Sequence, residues 1–194
     1  MWTMLGILAD IHGNAWALEA VLVDAERRGV TEFVELGDVL YGPLAPRQTF
    51  ELLNKVNITA GVRGNQDRLI LEGPRNPTLD WVRSDLGSEA LAWLLESVAE
   101  TRIFGGHTHV PRIVRLSSGE TIINPGSVGV PAYDDDEPVP HVMQSFSPHA
   151  RYVTLDASTV SFHQVEYDWH AAATKARALG RDDWARGIAT GRMT

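Results

Sequence analysis

Asp10 and His12 stand two residues apart where a short apolar run, Leu5, Ile7, Leu8 and Ala9, gives out. Alternation along a strand would turn both side chains to the same side, so that a carboxylate and an imidazole could share one divalent cation. Three more apolar runs end in the same style. Phe33, Val34 and Leu36 lead into Gly37 and Asp38; Ile58, Ala60 and Val62 lead into Gly64, Asn65, Gln66 and Asp67; Ile103 and Phe104 lead into Gly106, His107, Thr108 and His109. Singly, each has an ordinary explanation as a helix cap, a turn or a pair of surface histidines. Together, in this order and on neighbouring strands, Asp10, His12, Asp38, Asn65, His107 and His109 form a candidate metal-ligand set. Carboxylate, imidazole and amide ligands suit Mn²⁺, Fe, Zn²⁺, Mg²⁺ or Ni²⁺ without choosing among them, and one or two ions per chain, with Mn²⁺ favoured, are expected. Two ions bridged by a carboxylate would hold a hydroxide in line with phosphorus and neutralise phosphoryl oxygens.

The elements that must position these residues are readable from periodicity. Residues 15–28 place Leu18, Val21, Leu22 and Ala25 at helical spacing, capped by Asn14 and stopped by Gly29. A second helix is expected over 47–55, and a third from Ser88 through Leu91, Leu94, Leu95 and Val98. Strand and helix alternating in this way predict βαβ units and a largely parallel sheet, with function beyond the carboxyl ends of its strands. Residues 112–116 and 120–123 read as a hairpin across Ser117, Ser118 and Gly119, ahead of the turn Asn124, Pro125, Gly126, Ser127. Residues 151–155 and 159–165 read as a second antiparallel pair, expected in a second sheet packed on the first. Residues 133–140, with four consecutive acids, read as a solvated loop, and helices near 169–179 and after Arg181 close the chain. One domain over 1–194 is expected.

Composition narrows the partners. A net charge of −8 argues against a broad footprint for duplex nucleic acid, so an anionic substrate would need a metal to attract it. The absence of Cys excludes disulfides and thiolate chemistry, no apolar run is long enough to span a bilayer, and a cytoplasmic location is expected.

Taken with Tyr41, Gly42, Pro43 and the run Asn124, Pro125, Gly126, Ser127, Val128, the ordered motifs resemble those of the calcineurin-like metallophosphoesterases. The resemblance is closest to the small bacterial predicted-phosphodiesterase branch. It implies an α/β fold, a four-layer α/β/β/α sandwich of two mixed β-sheets. It also implies a dinuclear site, with Asp10, His12, Asp38 and His109 at one metal and Asp38, Asn65 and His107 at the other. Asp38, Asn65, Gln66 and Asp67 are then the candidate catalytic residues. The implied function is a phosphodiesterase or broad phosphatase in which metal-bound hydroxide attacks phosphorus. Its implied partner is a small phosphorylated substrate, with a homo-oligomer left open.

The chain departs from the family's pattern twice. No histidine lies between Asn65 and Gly106, where the family usually has a strand ending in His-Gly, which leaves the second metal one ligand short. His141 or His149 are the substitutes on offer. Gln66 stands where many members have a His, and an amide donates hydrogen bonds without transferring a proton. Both departures keep open an alternative, a catalytically weak metal- or phosphate-binding regulatory module on the same fold.

Overall fold

A computed structural model describes residues 4–96, 106–115, 121–136, 139–156 and 159–194. The expected strand at Ile103 and Phe104, the helical continuation to Val98 and the bends at Ser117 to Gly119 and Ser158 lie outside these residues. The first third alternates as its spacing predicts: β1 (Leu5–Leu8), α1 (Ala15–Arg27), β2 (Glu32–Glu35), α2 (Pro46–Leu53) and β3 (Ile58–Gly61). β1 runs parallel to β2, and β2 to β3. The Asn14 side chain accepts the Ala17 amide at 3.1 Å and starts α1, which buries Leu18, Val21 and Ala25 on one stripe.

Two helical stretches replace what the sequence pattern left as strand end and loop. α3 (Asn65–Glu72) opens with the Asp67 carboxylate accepting the Gly64 amide, so Asn65 sits on a first helical turn. α4 (Pro77–Glu96) starts at Pro77, where a missing N–H costs nothing, with Asn76 accepting the Leu79 amide at 2.8 Å. It changes direction at Gly87 (φ 71°), so only its second part matches the helix expected from Ser88.

The topology corrects one expectation. β8 (Ala150–Asp156) and β9 (Thr159–Val165) do pair antiparallel, but β8 also lies antiparallel beside β1, giving one mixed sheet in the order β3-β2-β1-β8-β9. The paired residues Ile7 and Val153 face Ile123 of β5 (Thr121–Asn124), whereas Leu8, Phe33 and Tyr152 face the opposite side, in a core with Leu18, Phe50 and Leu86 of the helices. Each such fully buried side chain contributes about 1.5–3 kcal/mol. Helices therefore cover one face of the sheet and further strands the other, and the α/β class with a mixed sheet holds. Among the described residues there are two further short antiparallel ladders, β4 (Arg112–Arg115) with β5, which lies against the sheet, and β6 (Ala132–Asp135) with β7 (His141–Gln144), whose β6 meets the last helix.

The second ladder corrects the loop expected over 133–140, because Tyr133, Asp134 and Asp135 pair with Met143, Val142 and His141. Exposed acids dominate the pattern there and hide the strand. α5 (Trp169–Ala178) and α6 (Asp182–Thr190) pack through Ala172, Ala176, Ala185 and Ile188 around Leu44, beside the loop that follows Asp38. No helix among the described residues is long and apolar enough to cross a membrane.

Candidate metal centre

Strand alternation does not bring the ligands together. β1 ends at Leu8, and Asp10, His12, Asp38, His107 and His109 all have left-handed backbones, with φ of 52°, 54°, 53°, 68° and 56°. Phe146 is the one other non-glycine residue of this kind among those described. Each such residue costs about 1–3 kcal/mol, a cost that persists only where the surroundings over-determine it. Here they do: the amides of Asp10, His12 and Gly13 donate to the carbonyls of Gly37, Asp38 and Val39, lacing the two turns together. The α3 turn comes equally close, for a Cβ on Gly64 would run into the Asp38 carboxylate.

Asp10, His12 and His109 are buried, and one ligand atom from each lies within 4.8 Å of the others. His109 Nε2 is 3.2 Å from Asp10 Oδ1 and 3.2 Å from His12 Nε2. His109 Nδ1 donates to the Val130 carbonyl at 2.6 Å, and His12 Nδ1 to the Tyr41 carbonyl at 3.3 Å. A carbonyl only accepts, so both Nδ1 atoms carry hydrogen and both Nε2 atoms turn to the centre. Burial, with His109 beside it, pushes His12 down to about 3, which keeps its ring neutral. Burial works against protonation of His109 too, but the Asp10 charge outweighs it and raises that ring's pKa; burial would raise Asp10, and His109 outweighs it in turn. Asp10 Oδ2 is buried without a hydrogen-bond partner. An orphaned carboxylate oxygen beside two pre-set imidazole nitrogens fits a divalent cation.

The other expected residues lie around this cluster less tightly. Asp38, Asn65, Gln66 and His107 line a cavity of about 250 Å³ together with His12 and His109. Asn65 and His107 are exposed, and neither belongs to the buried cluster. Asp38 Oδ1 accepts the Gln66 amide at 2.8 Å, and burial, then the charges of Asp67 and Asp10, push its carboxyl up to about 7. Gln66 Oε1 is buried without a partner. Asp67 does not line the cavity: its oxygens accept the amides of Asp38, Val39 and Gly64 at 2.8, 3.0 and 3.1 Å. Behind it Glu35 accepts the Gly37 amide at 2.8 Å, and burial pushes Glu35 up to about 8. Neither proposed substitute ligand reaches the cavity; His141 packs edge-on to Tyr133, and His149 bonds Ser147 Oγ at 2.7 Å.

Sequence reasoning passed over several residues that shape the site. Asn124 Nδ2 donates to Gly106 O and Thr108 Oγ1, both at 2.9 Å, which fixes the turn carrying His107 and His109. Ser127 Oγ donates to Asp10 O at 2.7 Å and accepts the Val130 amide at 2.8 Å. The turn-forming run from Asn124 thus braces both ends of the buried cluster, a role its composition hinted at without locating. The Tyr133 ring lies 4.5 Å from His109 and its hydroxyl donates to His107 O at 2.8 Å. Trp184 meets His12 edge-on at 5.6 Å, and Arg181 lines the same cavity. Nothing in the local sequence ties either residue to Asp10, more than 170 positions earlier.

Comparison with known proteins follows this geometry. The family described as calcineurin-like phosphoesterase superfamily domain matches residues 4–144. A metallophosphoesterase from Sphaerobacter thermophilus superposes with a TM-score of 0.77 at 26% identity, covering 99% of this chain and 100% of that one. An uncharacterized protein of Methanocaldococcus jannaschii is 33% identical over 91 residues, 47% of this chain and 35% of its own, so the match spans about a third of that relative's length.

Proposed function

We propose that this chain, which belongs to the calcineurin-like phosphoesterase superfamily, is a metal-dependent hydrolase of phosphate esters, a phosphodiesterase or a broad phosphatase. The observation that carries the reading is the buried Asp10, His12 and His109 cluster, set for a cation by two backbone carbonyls. A divalent ion bound there would supply Lewis-acid neutralisation of the phosphoryl oxygens and would activate water for attack at neutral pH. Asp10, His12 and His109 would hold it, with Asp38 alongside; Asp38, Asn65 and His107 would hold a second. Asp67 keeps the Asp38 turn in place through the three amides it accepts. In hydrolysis a new P–O bond forms to water's oxygen, the ester P–O bond breaks, and the alcohol leaves.

Gln66 stands at the cavity wall and orients through hydrogen bonds only, so the leaving group takes its proton from solvent. Losing general acid catalysis costs about 10²–10⁴ in rate, least for good leaving groups. Aryl esters should therefore be cleaved faster than alkyl esters, and equal rates on matched aryl and alkyl phosphodiesters would sink this part of the reading.

The whole reading is tested by metal stoichiometry and by turnover of a chromogenic phosphodiester in added Mn²⁺, repeated for Asp38→Asn and His109→Ala. Turnover that both substitutions abolish supports the hydrolase. Metal binding without turnover makes the protein a binding module, and no metal binding defeats both.

A further inference from the structure

We infer that Arg181, at the start of α6 and outside the segment that matches the family, is the residue that grips the substrate's phosphoryl oxygens. This rests on the phosphoesterase reading and assigns one of its contacts. The cavity that holds His12, Asp38 and His109 is also lined by Asp134 and Asp135, and among its described lining residues Arg181 is the one Lys or Arg. An anion entering past those carboxylates needs a fixed positive group that the bare walls do not otherwise provide.

The guanidinium is held for that task. Nε and Nη2 donate to Asp183 at 2.9 and 2.6 Å, and Nη1 donates to Thr78 Oγ1 at 3.1 Å. Of the five N–H donors of an arginine, those bonds take three; one of the other two meets the Tyr41 phenol, and one is left for the cavity that the residue lines. The Arg181 Cζ lies 5.3 Å over the Trp184 ring, and Trp184 in turn meets the edge of His12. An aromatic platform and a carboxylate clamp thus fix the planar guanidinium fork next to the His12 ring, with an N–H left to donate to a phosphoryl oxygen. A narrower recess of about 50 Å³ continues past Arg181 between Tyr133, Asp134 and Trp184. The fork stands where the two spaces meet.

The bland alternative is a tether, since the same guanidinium ties α6 to Thr78 of α4. Thr78→Val removes the tether and leaves the cavity untouched, so it separates the two roles. With Mn²⁺-loaded protein, we expect Arg181→Ala to raise both KM for a chromogenic phosphodiester and the dissociation constant of inorganic phosphate by about 10- to 100-fold, with a smaller change in kcat. Added guanidinium ion should restore part of the loss, Arg181→Lys should fall between, and Thr78→Val, which loosens the guanidinium without removing its charge, should lose less than either. Unchanged phosphate affinity in Arg181→Ala, or equal losses in Arg181→Ala and Thr78→Val, overturns the inference. If the unaltered protein shows no turnover, phosphate titration by calorimetry still decides: binding lost in Arg181→Ala upholds the inference while the hydrolase reading falls, and phosphate that does not bind the unaltered protein overturns it.

Discussion

Asp10, His12 and His109 are buried, and both imidazoles are turned by backbone carbonyls before any ion arrives. Asn65 and His107, which line the same cavity, are exposed, and Asp38 carries a carboxyl pushed up to about 7 by burial and neighbouring charge. The difference teaches that the two halves of this centre are organised by different means. One is pre-set by the fold, and the other surrounds a buried carboxyl whose charged form a bound cation would favour.

Removing a member of the pre-set half should have the largest effect. His109→Ala or Asp10→Ala is expected to weaken Mn²⁺ binding by at least about 100-fold and to abolish turnover, read by calorimetry and by phosphodiester hydrolysis. Retained affinity would break the comparison. His107→Ala is expected to spare the tighter ion, changing its affinity by less than about tenfold, while turnover falls. Equal loss in His107→Ala and His109→Ala would show the halves to be one unit.

The bracing of the pre-set half is testable without metal. Ser127→Ala removes the donor to Asp10 O and leaves the buried Val130 amide without an acceptor. It should cost about 1–3 kcal/mol in urea unfolding of the metal-free protein, and a loss near zero would mean the Asp10 turn holds itself. The last test concerns pH. Glu35 binds its proton more tightly folded (about 8) than unfolded (4.5), so between those values it destabilises the metal-free fold increasingly as pH rises, and below about 4.5 it does not. Glu35→Gln should therefore gain stability over the unaltered protein progressively from pH 5 to 8, and a pH-independent difference would refute the assignment.

Much of the centre was legible because carboxylate and imidazole residues next to glycine follow short apolar runs, and such runs mark strand ends wherever they pack. Their convergence has another cause than the strand alternation that the spacing suggests: left-handed turns past the strands aim Asp10 and His12, and such dihedrals leave no trace in residue type when Asp and His adopt them. α3 is hidden by Gly64 and by the candidate ligand Asn65, which both read as loop. The placement of β8 beside β1 was not legible, since antiparallel pairing within 150–165 is local while the choice of sheet is not. Arg181 and Trp184 escaped for the same reason, reaching the cavity only through the packing of α6.

The register of β1 with β8 pairs Leu5 with Leu155, so the strand that delivers Asp10 is flanked on one side by residues made 150 positions later. Contacts of such sequence separation close long loops and slow folding. During synthesis β1 stays paired on one side only until β8 has left the ribosome. The turn that carries Asp10 thus has its local partners early and its long-range brace late.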